Sequence, residues 1–294
     1  MMKMEYLPIK ERFPRLEELR ENHIVIKFGG NAISGQSDLK RFAKDVAMMR
    51  SLGLLPVLVH GGGPEITREM KLRGIEARKV AGLRITDTQT LEIAEYVLNR
   101  INREIVKALK GAGVDAVGVP GYKSGMIRCK RKEPILAYDE EGNLSTIDLG
   151  HVGDVVSVDG TQLGMITASG MIPVIYPIGQ DEEGGHVNVN ADTAAAHIAA
   201  ALSCEEMILI TDVPGILTDI NDSASLIKEI SMKQVDELID EGVVMGGMVP
   251  KVEACRLALE KGVRSTHMLG GKDSEHLLRQ ILDGQHRGTR IVNG

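Results

Sequence analysis

Two stretches decide the fold: H-I-V-I-K-F-G-G at residues 23–30 and L-L-P-V-L-V-H-G-G-G-P-E-I at residues 54–66. Each is an apolar, β-branched run that ends in glycines, which predicts a buried strand delivering the chain into a tight turn. Between them Asp38–Leu52 has helical spacing, and Pro64 suits the first turn of a helix continuing through Lys71. Strand, glycine turn and helix then recur. This alternation predicts an α/β protein with a parallel sheet covered by helices on both faces.

The same pattern extends outward. Thr90–Gly111 reads as a long helix with Ile93, Val97, Ile101, Ile105 and Leu109 on one face. Lys123–Thr146 carries Arg128, Lys130, Arg131 and Lys132 and a turn at Glu140-Glu141-Gly142-Asn143, which predicts a hairpin with a solvated basic edge. Met171–Pro177 is a strand, Asp192–Leu202 an Ala-rich helix, and Glu206–Ile210 a strand ending at Thr211-Asp212-Val213-Pro214-Gly215. Ser231–Glu241 and Val252–Lys261 are helices, and Arg264–Leu269 is a last strand. Ahead of this core, Lys10–Asn22 spaces Phe13, Leu16 and Leu19 as a short amphipathic helix, with Pro14 fitting its first turn. That helix either packs on its own chain or forms an oligomer arm. With no repeat and no flexible linker, the expected lobe boundary is Ala201-Leu202, dividing residues 1–200 from 201–294.

Composition excludes several classes. The 294 residues include 33 Gly, 10 Pro and 3 Cys, with 26% charged and 43% hydrophobic, which is neither disordered, collagenous nor a disulfide scaffold. The net charge of −6 argues against a general nucleic-acid binder. Cys129, Cys204 and Cys255 are too scattered for paired metal ligands, so reduced thiols are expected. The N-terminus lacks the apolar core of a signal peptide, and no apolar run is long enough to cross a membrane. A soluble, cytoplasmic protein is expected.

The residues able to carry chemistry sit beside the glycines. Gly29-Gly30 and Gly61-Gly62-Gly63 follow strands, where backbone N–H groups and the next helix N-terminus can cradle an anion, although a tight turn alone would also explain them. Neither is a dinucleotide fingerprint or a P-loop. Lys27 stands directly before the first turn and Lys251 follows Gly246-Gly247-Met248-Val249-Pro250 at a helix start. Each alone reads as a surface lysine. Together they suit phosphoryl transfer, which is catalysed largely by positioned positive charge. In N-V-N-A-D, alternation puts Asn188 and Asn190 on one face, and Asp192 is a good helix cap. Arg84 offers a planar fork for a carboxylate, or pairs with an acid of its own chain. His60 reads as structural rather than as a ligand or base. There is no nucleophile elbow and no H-E-x-x-H, and the protein itself is expected to hold no metal. Such a site suits a nucleophile already ionised at neutral pH, such as a carboxylate, whose attack on ATP needs position and charge neutralisation but no base.

The ordered set K-F-G-G-N (27–31), V-H-G-G-G-P-E-I (59–66), G-L-R-I-T-D (82–87), D-L-G-H-V-G (148–153), N-V-N-A-D (188–192), T-D-V-P-G-I (211–216) and G-G-M-V-P-K (246–251) resembles the acetylglutamate kinases of the amino acid kinase family. The likeness runs from about residue 20 to the last strand. It implies an open three-layer αβα sandwich with a mainly parallel central sheet, preceded by a short N-terminal helix. It also implies transfer of phosphate from ATP, with Mg²⁺ carried on the nucleotide, to N-acetyl-L-glutamate in the second step of arginine biosynthesis. By position Lys27 and Lys251 match transition-state lysines, and Asp192 an aspartate that orients them. Gly62, Gly63, Arg84 and Asn188 match the amino-acid site. Lys27, Gly29 and Gly30 would hold phosphate, with Thr211, Asp212, Gly215 and Ile216 toward the nucleotide. Residues 1–200, including the helix near 10–22, would then be the substrate lobe and 201–294 the nucleotide lobe. The helix resembles those that link dimers into a hexamer in arginine-inhibited members, making a homo-oligomer and an arginine effector expectations. Gln280 departs from the usual glutamate for arginine, and Gly121–Gly125 is a shortened loop without its acid. Related kinases of aminoadipate or of glutamate on a carrier protein share the glycines and lysines. A silent arginine or partner sensor is the reading from another class.

Overall fold

The computed structural model describes residues 15–29, 33, 35–138, 143–271, 277, 281–282 and 288–293. A short helix α1 (Leu16–Leu19) leads into β1 (His23–Phe28), α2 (Gly35–Ser51), β2 (Leu55–His60) and α3 (Gly63–Leu72). After the small hairpin β3 (Lys79–Val80) and β4 (Leu83–Arg84) come α4 (Thr88–Gly111), β5 (Ala116–Pro120), β6 (Ile127–Arg131), β7 (Ile135–Tyr138), β8 (Leu144–Ile147) and β9 (Gly153–Val158). Then follow α5 (Gly160–Ala168), β10 (Ile172–Tyr176), β11 (Ile178–Gln180), β12 (His186–Asn188) and α6 (Ala191–Ala201). The chain closes with β13 (Glu206–Thr211), β14 (Glu229–Ser231), α7 (Met232–Asp240), α8 (Val249–Glu260), β15 (Ser265–Gly270) and β16 (Thr289–Val292).

Eight strands form the central sheet in the order β14-β16-β15-β13-β1-β2-β10-β5. Its pairings are parallel except between β15 and β16. The continuous apolar runs are explained by burial on both faces. Val25, Val57, Val59, Ile175 and Leu209 face a core completed by α5, α6 and α8. The alternate residues Ile24, Ile26, Leu58, Val174 and Ile210 face a second core completed by α2, α4 and the buried Leu277, Ile281 and Leu282. Each such fully buried aliphatic side chain is worth roughly 1.5–3 kcal/mol over an exposed one. The result is the expected three-layer αβα sandwich with a mainly parallel sheet.

Strands from before residue 177 build one half of the sheet and strands from after residue 205 the other, meeting where β1 pairs β13. The crevice beyond the carboxyl ends of strands at such a reversal is where open α/β sheets bind ligands.

Three expectations need correction. The basic segment does not form one hairpin: β6 instead joins a four-stranded sheet β12-β11-β6-β9, and only β7 and β8 pair as a hairpin, whose turn at 140–142 lies outside the described residues. Arg264–Leu269 is not the last strand, since β16 follows it antiparallel. Of the helix expected over 10–22, residues before Arg15 lie outside the described set, and α1 covers four residues. That described piece packs on its own chain. Leu19 is fully buried, and the Arg15 guanidinium lies 2.6 Å from the buried Glu206 carboxylate. Burial pushes the Glu206 pKa up, but His267 and Arg15 outweigh it and bring it down to about 2.

Candidate active site

The site begins with Lys27, whose Nζ lies 2.7 Å from Asp192 Oδ1 in a largely buried ion pair. Asp192 is not the helix cap. Asn190 caps α6, its side-chain oxygen accepting from the N–H groups of Asp192 and Thr193 at 2.8 and 3.1 Å. The cap fixes the backbone and leaves the Asp192 carboxylate for Lys27, at the helix end where negative charge is favoured.

The two glycine turns touch each other. Gly61 N–H donates to Phe28 C=O at 2.9 Å, and a Cβ on Gly29 would lie 3.0 Å from Gly61 N. A Cβ on Gly62 would lie 2.8 Å from Ile101 Cδ1 and 2.9 Å from Leu98 Cδ2, so a side chain there would have to displace the ends of two α4 side chains. At Gly63, the first residue of α3, a Cβ would meet nothing within 4 Å. Gly30 lies outside the described residues.

Arg84, on β4, is buried, and its guanidinium donates to Thr67 Oγ1 at 2.8 Å, Gly63 C=O at 3.1 Å and Met70 Sδ at 3.1 Å. Burial pushes its pKa down, yet a guanidinium stays charged at neutral pH. Among the described residues no carboxylate pairs with it. A buried cation whose partners among the described residues are neutral acceptors favours an incoming anion.

Asn188 is held against Arg84's segment by a strap that the D-L-G-H-V-G motif supplies. Thr86 N–H donates to Leu149 C=O at 2.9 Å, His151 N–H to Thr86 C=O at 2.7 Å, and Asn188 N–H to His151 C=O at 2.8 Å. Gly150 has φ +70°, and a Cβ there would lie 2.4 Å from Thr86 O, so the strap requires glycine. Asn188 Nδ2 approaches Thr86 Oγ1 at 3.4 Å.

From the other half of the sheet, Lys251 is the third residue of α8 and donates from Nζ to Gly247 C=O at 2.9 Å. Thr211 ends β13, its hydroxyl donating to Val213 C=O at 2.6 Å. A single cleft of about 390 Å³ is lined by Lys27, Gly29, Gly62, Gly63, Arg84 and Asn188 together with Asp192, Thr211, Asp212 and Lys251. Gly215 and Ile216 do not line it. They pack on β16, where Ile216 N–H donates to Thr289 Oγ1 at 2.8 Å and a Cβ on Gly215 would lie 2.5 Å from that oxygen. Lys79 also lines the cleft, opposite Arg84 in the β3–β4 pair. The Gly82 turn between Lys79 and Arg84 is the one sequence signal that could have found it. Among the described residues no cluster of His, Cys, Asp or Glu could hold a metal, and no helix is long and apolar enough to cross a membrane.

The model of the amino acid kinase family matches residues 22–270, which span the cleft from the strand bearing Lys27 to the strand after Lys251. The chain belongs to the amino acid kinase family. It is 40% identical over 283 residues, 96% of each chain, to the acetylglutamate kinase of Methanococcus maripaludis. It is 39% identical over 282 residues, 96% of this chain and 95% of the other, to that of Methanosphaera stadtmanae. Its fold is similar, with a TM-score of 0.81 at 22% identity, to the N-acetylglutamate synthase of Neisseria gonorrhoeae solved with coenzyme A and N-acetyl-glutamate. That likeness covers 97% of this chain but 63% of the synthase. This member of the amino acid kinase family is therefore an enzyme, a kinase.

Proposed function

We propose that the enzyme transfers the γ-phosphoryl group of ATP to the side-chain carboxylate of N-acetyl-L-glutamate, the second step of arginine biosynthesis. One observation carries this reading: the buried Arg84 guanidinium, without a carboxylate partner among the described residues, shares one cleft with Lys27 and Lys251. Arg84 and Asn188 would take the α-carboxylate end of the substrate, leaving its side-chain carboxylate toward Lys27. A carboxylate oxygen bonds to the γ-phosphorus as the bond to the β–γ bridging oxygen breaks, giving N-acetyl-L-glutamyl 5-phosphate and ADP. No proton moves at the nucleophile, so no base is needed. Lys27 and Lys251 would neutralise charge growing on the equatorial and bridging oxygens, with Asp192 orienting Lys27 and the glycine amides bonding phosphate.

Residues 1–200 would form the substrate lobe and 201–294 the nucleotide lobe, with Thr211 and Asp212 at the nucleotide's edge of the cleft and Gly215 and Ile216 shaping the turn behind them. Magnesium would travel on the nucleotide, its remaining ligands being phosphate and water, as suits a cation reluctant to dehydrate. A homo-oligomer, a hexamer joined through the N-terminal helix, and an arginine effector belong to the same reading. Gln280 lies outside the described residues.

The test is ADP release from ATP·Mg²⁺ with N-acetyl-L-glutamate, glutamate and aminoadipate offered separately, with hydroxylamine present to trap an acyl phosphate. A hydroxamate from N-acetyl-L-glutamate alone is expected. Product from aminoadipate instead would move the assignment to a sister kinase, and no product from any acid would favour the silent sensor. A second expected outcome concerns Arg84→Lys. Losing the planar fork should raise KM for N-acetyl-L-glutamate about tenfold or more while KM for ATP stays within about threefold. Equal weakening of both substrates would remove Arg84 from the acid's site.

A further inference from the structure

His60 is the last residue of β2, fully buried beneath the glycine turn and flanked by the rings of Phe28 and Tyr176, with centroids 6.4 and 6.1 Å away. Its two ring nitrogens have different partners. Nδ1 lies 3.0 Å from Gly61 O, and Nε2 lies 3.1 Å from Asn102 Nδ2 on α4.

The proton positions follow from which atoms can only accept. Asn102 Nδ2 also donates to Val174 C=O at 2.8 Å, and a carbonyl has no proton to give. The amide nitrogen of Asn102 is therefore fixed on that side, and its second N–H points at His60 Nε2, which must accept. The ring proton then sits on Nδ1 and donates to Gly61 C=O. The Asn102 oxygen is seated equally closely: a Cβ on Gly118 would lie 2.1 Å from it, so glycine at 118 makes room for this amide. Full burial pushes the imidazole pKa down to about 4, against a smaller upward pull from the Gly61 carbonyl, so the ring is neutral near pH 7.

We propose that His60 is a positioning residue for phosphoryl transfer, its Nδ1–H holding the Gly61 carbonyl so that the Gly62 N–H faces the cleft. The described chain has no cis peptide, and in a trans peptide the C=O and N–H point in opposite directions. Drawing the Gly61 oxygen toward the ring turns the Gly62 N–H away from it, on the side where Gly62 and Gly63 line the cleft with Lys27. Among the described residues no backbone carbonyl accepts from the Gly62 N–H. The relay runs from Val174 through Asn102 and His60 to the glycine turn, so β10 and α4 set the aim of a donor on β2's turn. That the acceptor is a transferring phosphoryl group rests on the function proposed above.

The test compares His60→Asn with His60→Gln, since an asparagine amide nitrogen can stand where Nδ1 stands, whereas a glutamine reaches the Nε2 position. His60→Gln should lower kcat about 10–100-fold with both KM values within about threefold, the range for misaiming one preorganised donor. His60→Asn should keep kcat within about threefold of wild type, although both variants lose the same ring packing and a similar amount of thermal stability. Equal kcat for the two variants would overturn the proposal in favour of packing alone. Imidazole ¹⁵N shifts of the wild-type enzyme give a substrate-free measurement: protonated Nδ1 is expected, and a proton on Nε2 overturns the relay. Wild-type turnover with N-acetyl-L-glutamate is measured in parallel, so a wrong substrate assignment appears as an inactive wild type and not as a difference between variants.

Discussion

Lys251→Ala is expected to lower kcat about 10²–10³-fold, some 3–4 kcal/mol of transition-state stabilisation, while the Kd for ATP changes only a few-fold. The separation follows from what the ammonium touches. Among the described residues its one hydrogen bond is to Gly247 C=O, in the turn just before its helix, and the side chain is half-buried. Removing it costs about 1 kcal/mol of folding stability at most, so lost activity is not lost protein. An interaction that matters only as charge builds on transferring oxygens appears in kcat and leaves ground-state binding nearly untouched. The measurement is steady-state kcat with N-acetyl-L-glutamate beside calorimetric titration of a non-hydrolysable ATP analogue. A kcat within about fivefold of wild type would remove Lys251 from the chemistry. An ATP affinity falling in step with kcat would make it a simple binding residue.

How far the sequence foretold the site depended on whether the deciding interaction was local. Lys27, Gly29, Gly62 and Gly63 were legible because strands buried on both faces read as unbroken apolar runs, and these residues lie at or just beyond the ends of such runs. Asp192 does line the cleft, but the helix cap expected of it is Asn190. Asn and Asp are equivalent caps, and the two-residue ambiguity is resolved only by a lysine 165 positions earlier whose ammonium claims the carboxylate. Strand β6 was hidden by its charges. Ile127 and Cys129 are buried while Arg128 and Lys130 face water, so the alternation was present under a basic run that suggested an edge. β14 and β16, three and four residues long, are too short to carry a period and are set by pairing with each other and with β15. Gly150 looked like one more turn glycine, and its necessity lies in a carbonyl 64 residues away. Lys79 reaches the cleft only because two two-residue strands fold it across from Arg84.

The ion pair between Lys27 and Asp192 permits a sharper experiment than either residue alone. Lys27→Met should both abolish measurable turnover, a loss of about 10³-fold or more, and destabilise the fold by about 3 kcal/mol. The second effect arises because the Asp192 carboxylate, 12% exposed in its side chain, would be left without its counter-charge against an apolar neighbour. For a chain of this size that corresponds to a fall in Tm of about 5 °C. Adding Asp192→Asn removes the stranded charge. The double variant should recover most of the lost stability and none of the activity, because the positive charge at the phosphoryl group is still missing. Such coupling of about 2 kcal/mol between contacting residues is what a double-mutant cycle resolves. Thermal melts of the four proteins, with kcat measured on the same samples, separate the two roles. Recovery of activity together with stability would make Lys27 a structural residue. A single variant as stable as wild type would mean that the pair contributes little to the fold and that Asp192 serves only to aim the ammonium.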